Sequence, residues 1–227
     1  MITAEWSELH GAQLLTVAAS TPADGDVAQE TGRSIAAALE ALEAAGFRAE
    51  HIVRSRLFTR DADTRRQASD ARRVLLAGAL RGASSSFWDP ARLCADTRVR
   101  IELTAMSPLD AQAAKEVVEY DPVIAPPKYV RLGGLVFLSG VTDVTHGLAA
   151  QVDAVRNTID ASLAAAGAHL RDACLMSVFL AREEDPRAAL ALIAVRFAEA
   201  RCPVTLTQVG GYSAPEKRIE IEVTAAP

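Results

Sequence analysis

The sequence predicts an α+β fold written twice: two tandem domains, each a mixed β-sheet with two α-helices packed on one face. Three observations carry this. Two strands nearly repeat, RVRIELTAM (98–106) and KRIEIEVTA (217–225). In both, apolar residues alternate, so Val99, Ile101 and Leu103, like Ile219, Ile221 and Val223, share one face, and Glu102 and Glu220 project from the other. Upstream, Gly46 and Gly167 each end an amphipathic helix, and Phe58 and Phe179 stand in the strand that follows, both pairs 121 residues apart. The chain has 227 residues, half of them apolar, enough for two cores of roughly 100 residues each.

The elements follow in order. AQLLTVAAS (12–20) is an extended stretch. Ile35, Ala38, Leu39 and Leu42 then recur on one helical face, and Gly46 supplies the left-handed residue that a helix C-terminus favours. HIVRSRLFT (51–59) reads as a strand, a second helix follows, and GASSSFWDP (82–90) leads by a longer connection into RVRIELTAM. A polar, alanine-rich segment, SPLDAQAAKEVVEYDP (107–122), joins the halves. The second half repeats the scheme with YVRLGGLVFLSG (129–140), a helix with Val152, Val155, Ile159 and Leu163 on one face, and ACLMSVFLA (173–181). Its second helix opens at Asp185-Pro186, an N-cap followed by proline at the first helical position. RCPVTLTQV (201–209) and a Gly-Gly-Tyr-Ser-Ala-Pro turn lead to the last strand. The expected domains are 1–107 and 118–227. A repeat of this length is a duplicated domain rather than a solenoid.

Composition excludes several functions. The 24 basic and 29 acidic residues are mixed along the chain and leave a net charge of −5, so no nucleic-acid partner is expected, since phosphate binding needs a clustered basic face. The N-terminal MITAEWSELHG lacks the pattern of a signal peptide, and no apolar run approaches the ~18 residues of a membrane span. A cytoplasmic protein without a membrane partner is the expectation. Cys94, Cys174 and Cys202 are odd in number and lack CxxC spacing, and the four histidines are scattered singly. Neither a metal nor a cofactor is expected. The glycines of GGLVFLSG lack the spacing of a phosphate loop.

GGLVFLSGVTD, a helix ending in AAGA, MSVFLA and the terminal IEIEVTA together resemble the Rid family, the YjgF-type reactive-intermediate deaminases. The first half resembles it in element order, AAGF, LFT and IELTA, with Thr16-Val17-Ala18-Ala19 where the second half has its Ser-Gly motif. The resemblance implies two Rid-like domains, a homo-oligomer (most simply a trimer of two-domain chains), and ligand clefts between neighbouring domains. It implies hydrolysis of small reactive enamines or imines to keto acids and ammonia. A glutamate in the last strand then protonates the substrate or positions water, and an arginine in the penultimate strand clamps its carboxylate.

Carried over, Glu220 and its counterpart Glu102 are the candidate catalytic residues. Ser139, Gly140 and Tyr129 are candidate substrate-binding residues. The arginine is replaced by Val204 in the second half and by Ser85 in the first. Either the substrate carries no carboxylate at that place, or another arginine supplies the charge, with Arg131 and Arg218 as candidates, or the activity is lost. Two functions are therefore expected to compete. One is a hydrolase of a small, acid-labile metabolite with Glu220 as general acid or water-positioning base, for which chorismate hydrolases of similar fold offer a precedent. The other is a non-catalytic binding or assembly module.

Overall fold

In the computed structural model, which describes residues 1–227 except Leu109 and Ala111 in the joining segment, the alternating strands form two sheets of matching order. In the first half, β1 (Ile2–Leu9), β2 (Ala12–Ala19), β5 (Val99–Ser107), β3 (Ile52–Thr59) and β4 (Ala83–Trp88) lie side by side in that order. Only the β3–β4 pair is parallel. The second half repeats the order as β7 (Tyr129–Leu132), β8 (Leu135–Leu138), β12 (Ile219–Ala225), β10 (Ala173–Ala181) and β11 (Val204–Val209). Two short strands complete it. β6 (Glu116–Val118) pairs with β7, and β9 (Val141–Thr142) continues β8 against β12.

Two helices cover one face of each sheet, as predicted: α1 (Val27–Ala44) and α2 (Ala62–Leu75), then α3 (Leu148–Ala165) and α4 (Pro186–Arg196). Asp26 caps α1 in a reciprocal pair with Gln29, and Asp61 and Asp185 cap α2 and α4. Gly46 and Gly167 adopt φ of +88° and +70°, the left-handed conformation that ends α1 and α3. Val99, Ile101 and Leu103 are fully buried under α1, and Ile219, Ile221 and Val223 under α3. A further repeated contact fixes helix to sheet. Buried Glu30 accepts from the backbone N–H groups of Arg98 and Val99, and buried Gln151, 121 residues on, accepts from that of Arg218. Each α1-type helix thus latches the start of its last strand.

β1 was not anticipated from the sequence. It is an edge strand exposed on both faces apart from Leu9, although Ile2, Ala4 and Trp6 alternate with Thr3, Glu5 and Ser7. The second helices of the two halves have diverged: α2 holds four arginines in ADTRRQASDARRVL, whereas α4 reads PRAALALIAVR and leaves Leu190 and Val195 exposed. No helix among the described residues is long and apolar enough to cross a membrane.

The sheet faces without helices pack against each other. At one end Leu14, Val53 and Met106 meet Leu132, Leu135 and Phe137. At the other, the Phe87 ring stacks on Phe179 at 4.2 Å, with Phe58 and Tyr212 beside it. The backbones of Trp88 and Gly211 exchange two hydrogen bonds of 3.0 Å. Between the apolar ends lies a buried ionic cluster. Glu222 receives Arg56 through three contacts of 2.7–3.2 Å and Ser85 Oγ at 2.6 Å. Arg54 Nη1 lies 2.6 Å from Glu222 Oε2, a close charge contact whose N–H is not aligned for a hydrogen bond. The glutamate faces thus turn toward the other domain.

Candidate active site

Glu220 stands on β12, two residues from Glu222 and on the same face of the strand, so both carboxyls point into the seam between the halves. Thr142 on β9 is its direct cross-strand neighbour. The chain can enter this corner because residue 140 is glycine. A Cβ there would lie 1.9 Å from Glu220 Oε1 and 2.4 Å from Ser85 Oγ. Two reciprocal bonds tie the Ser-Gly corner to β4 of the first half: Gly140 N–H donates to Ser84 O at 3.2 Å, and Ser84 N–H to Ser139 Oγ at 3.0 Å. The motif therefore acts as a hinge pin between domains, and it frees the space in front of Glu220.

That space is a cavity of about 330 Å³, within the range of small-metabolite sites. Its far wall is α2 and β4 of the first half, and its near wall is Gly140, Thr142, Lys217 and Glu220 of the second. Glu220 is 6 % exposed. Burial pushes its carboxyl up to about 7; Glu222 adds to the rise, while Ser85, Lys217 and Arg72 hold it down. Glu222 behaves oppositely. Burial alone would raise it, but Arg54 and Arg56 overcome that and hold it at about 2. Two carboxyls on one strand face are thus driven apart, one fixed as an anion and one able to exchange a proton near neutral pH.

The positive groups of the cavity come from the first half apart from Lys217. Arg72, buried on α2, donates to Ser85 O at 2.7 Å, and burial lowers its guanidinium to about 10. Arg65, about two turns earlier, donates to Ser86 Oγ at 3.0 Å. Burial also lowers Lys217, and nearby Glu220 offsets part of that. These arginines were not anticipated. In sequence, a helix with four arginines reads as a solvated face, and nothing local shows that it lines a cavity shared with the second half.

The remaining expected residues lie elsewhere. Tyr129 is buried in the second core, where its hydroxyl donates to Ala165 O at 3.2 Å. Arg131 donates to Ala166 O and lies 3.8 Å from Glu116. Both satisfy carbonyls at the C-terminus of α3, where donors and positive charge are favoured. Arg218 pairs with Glu183 at 2.8 Å and with Glu184 at 3.7 Å on the surface. Val204 begins edge strand β11 and is 40 % exposed. Neither of the two candidate arginines lines the cavity. Glu102 lies outside it as well, held by Arg100 at 3.1 Å with Arg56 at 3.9 Å. Ser85, at the place of the expected strand arginine, does reach the site. Its hydroxyl donates to Glu222 and stands beside Glu220.

No group of three or more His, Cys, Asp or Glu suited to a metal ion occurs among the described residues. No protein-family model matches the sequence, and no curated protein matches it significantly. Solved structures do. A chorismatase is 16 % identical with a TM-score of 0.67, covering 98 % of this chain and 79 % of that one. A member of the YjgF/YER057c/UK114 family from Mycobacterium tuberculosis is 24 % identical with a TM-score of 0.46, covering 50 % of this chain and 100 % of that one. A YjgF-family protein from Neisseria meningitidis is 23 % identical with a TM-score of 0.41, covering 49 % and 93 %. The likeness to the chorismatase runs across both halves and lies in the fold. The chain is two tandem domains of one α+β fold, and across both halves it shares that fold with the chorismatase.

Proposed function

We propose that the chain is a hydrolase of a small, acid-labile metabolite such as an enamine or imine, with Glu220 as general acid and then water-positioning base. The observation that carries this reading is the buried Glu220 carboxyl, raised to about 7, at the wall of an arginine-lined cavity. A general acid works best with a pKa near the working pH. For an imine, protonated Glu220 delivers its proton to the nitrogen. The carboxylate then takes a proton from the attacking water, and the carbinolamine collapses to a ketone and ammonia. Arg72 and Arg65 would hold an acidic group of the substrate. The strand arginine of the Rid family is therefore replaced in function from α2. Exposed edge strands β1 and β11 support assembly into a homo-oligomer, most simply three chains.

The absence of that strand arginine from both halves favours a second reading, a site that binds without turnover. Ammonia release from enzymatically generated imino acids, with the wild type and Glu220→Gln side by side, separates the two. The hydrolase reading expects acceleration by the wild type and a loss of at least a hundredfold in the variant. A panel of imines that the wild type does not accelerate would retire imine deamination. Equal rates for both proteins would retire Glu220.

A further inference from the structure

The cavity beside Glu220 holds more positive charge than its own carboxylates balance. Arg65, Arg66, Arg72, Arg73, Arg81 and Lys217 border it, against Asp70 and Glu220. Arg81 is already committed to a forked pair with Glu119 at 2.6 and 2.8 Å. Among the described residues, none of the other five makes an ion pair. Four of them are arginines, which stay charged at neutral pH. Asp70 and a half-protonated Glu220 cannot neutralise this set, so the field inside is positive.

Two donors of the same cavity are buried and find no acceptor among the described residues: Arg65 Nε and Thr142 Oγ1. One comes from α2 of the first half, the other from β9 of the second, directly across from Glu220. Buried donors without partners are rare in folded proteins, and two in one charged cavity point to an acceptor that arrives with a ligand. A single carboxylate is satisfied by one forked arginine and would leave the other cations unbalanced. Hydroxyls of Ser84, Ser86 and Ser69 also border the cavity and add further donors for oxygen.

We infer that this cavity binds a small molecule carrying at least two negative charges, as a phosphate ester or a dicarboxylate, whose oxygens accept from Arg65 Nε and Thr142 Oγ1. The inference rests on reading the cavity as the substrate site, and it narrows the substrate class. The two halves contribute one donor each, so the dianion also bridges the domains. Its electrostatic part weakens with salt, less steeply than at an open surface.

Titration calorimetry on the full chain at pH 7.5 and constant ionic strength tests it, with inorganic phosphate, malonate and acetate as probes. The expected result is binding of phosphate or malonate at least tenfold tighter than acetate. Arg65→Gln and the near-isosteric Thr142→Val should each weaken the dianion at least fivefold, and Thr142→Val leaves shape unchanged, so its effect does not depend on refolding. Glu220→Gln should bind the dianion as well as the wild type or better, because it removes a negative charge. Phosphate alone or malonate alone would each support the inference and name the acidic group. Acetate binding as tightly as the dianions, no binding of either dianion, or unchanged affinity in both variants would overturn it. Dianion binding without ammonia release would leave this inference standing while removing the deaminase reading.

Discussion

Replacing Glu220 by glutamine should make the protein more stable, and the gain should grow with pH. Glu220 is 6 % exposed, and its carboxyl is raised from 4.5 to about 7. A carboxyl raised on folding contributes stability that is fully present below pH 4.5 and is lost as pH rises through about 7. The full loss, at 1.36 kcal/mol for each pKa unit, is ~3 kcal/mol. Glutamine keeps the shape and never ionises, so the variant escapes this loss. The expected gain is about 1 kcal/mol at pH 5, where the unfolded chain has begun to ionise, and ~3 kcal/mol at pH 8. Urea unfolding of both proteins at pH 5, 6, 7 and 8 measures it, with midpoints converted through a common slope. The opposite sign would refute the reasoning. A variant less stable than the wild type at pH 8 would mean that Lys217 and Arg72 outweigh burial. Glu220 would then be a fixed anion in the fold, unfit to donate a proton.

Arg54→Met should destabilise the chain by ~3 kcal/mol, because it removes one charge of a buried pair while Arg56 still compensates Glu222. Glu222 is held at about 2, so its contribution is present above pH 4.5 and lost as pH falls toward 2. Acid unfolding of the variant should begin at higher pH than in the wild type, and a change below 1 kcal/mol in urea would refute the role. Sedimentation equilibrium should find an assembly near three chains. A monomer at micromolar concentration would sink the trimer.

The duplication was legible because its signals are local. The alternation in RVRIELTAM and KRIEIEVTA sets which face is buried, and Gly46 and Gly167 mark helix ends where a left-handed residue is needed. Glu220 and Gly140 were legible through the resemblance, and the structure brings both to the cavity. Arg65 and Arg72 were not, because their role depends on which domain face closes over them. Sequence spacing describes a helix but not its neighbour across a domain seam. Tyr129 and Arg131 show the converse: near the site in sequence pattern, they serve the end of α3. Arg218 sits next to Lys217, yet both precede β12, and only Lys217 borders the cavity while Arg218 pairs with Glu183 on the surface.

The divergence of α2 from α4 has a consequence for how such a protein changes over time. In a ring of identical single-domain subunits, every substitution is made everywhere at once, so no helix can become strongly cationic without all of them doing so. Joining two copies in one chain lifts that restraint at fixed one-to-one stoichiometry. One copy of the helix carries four arginines while the other is largely apolar, and the glutamate across the cavity from the arginines belongs to the second copy. Each half alone lines only part of the cavity. The chain behaves as an internal heterodimer whose partners are inherited together.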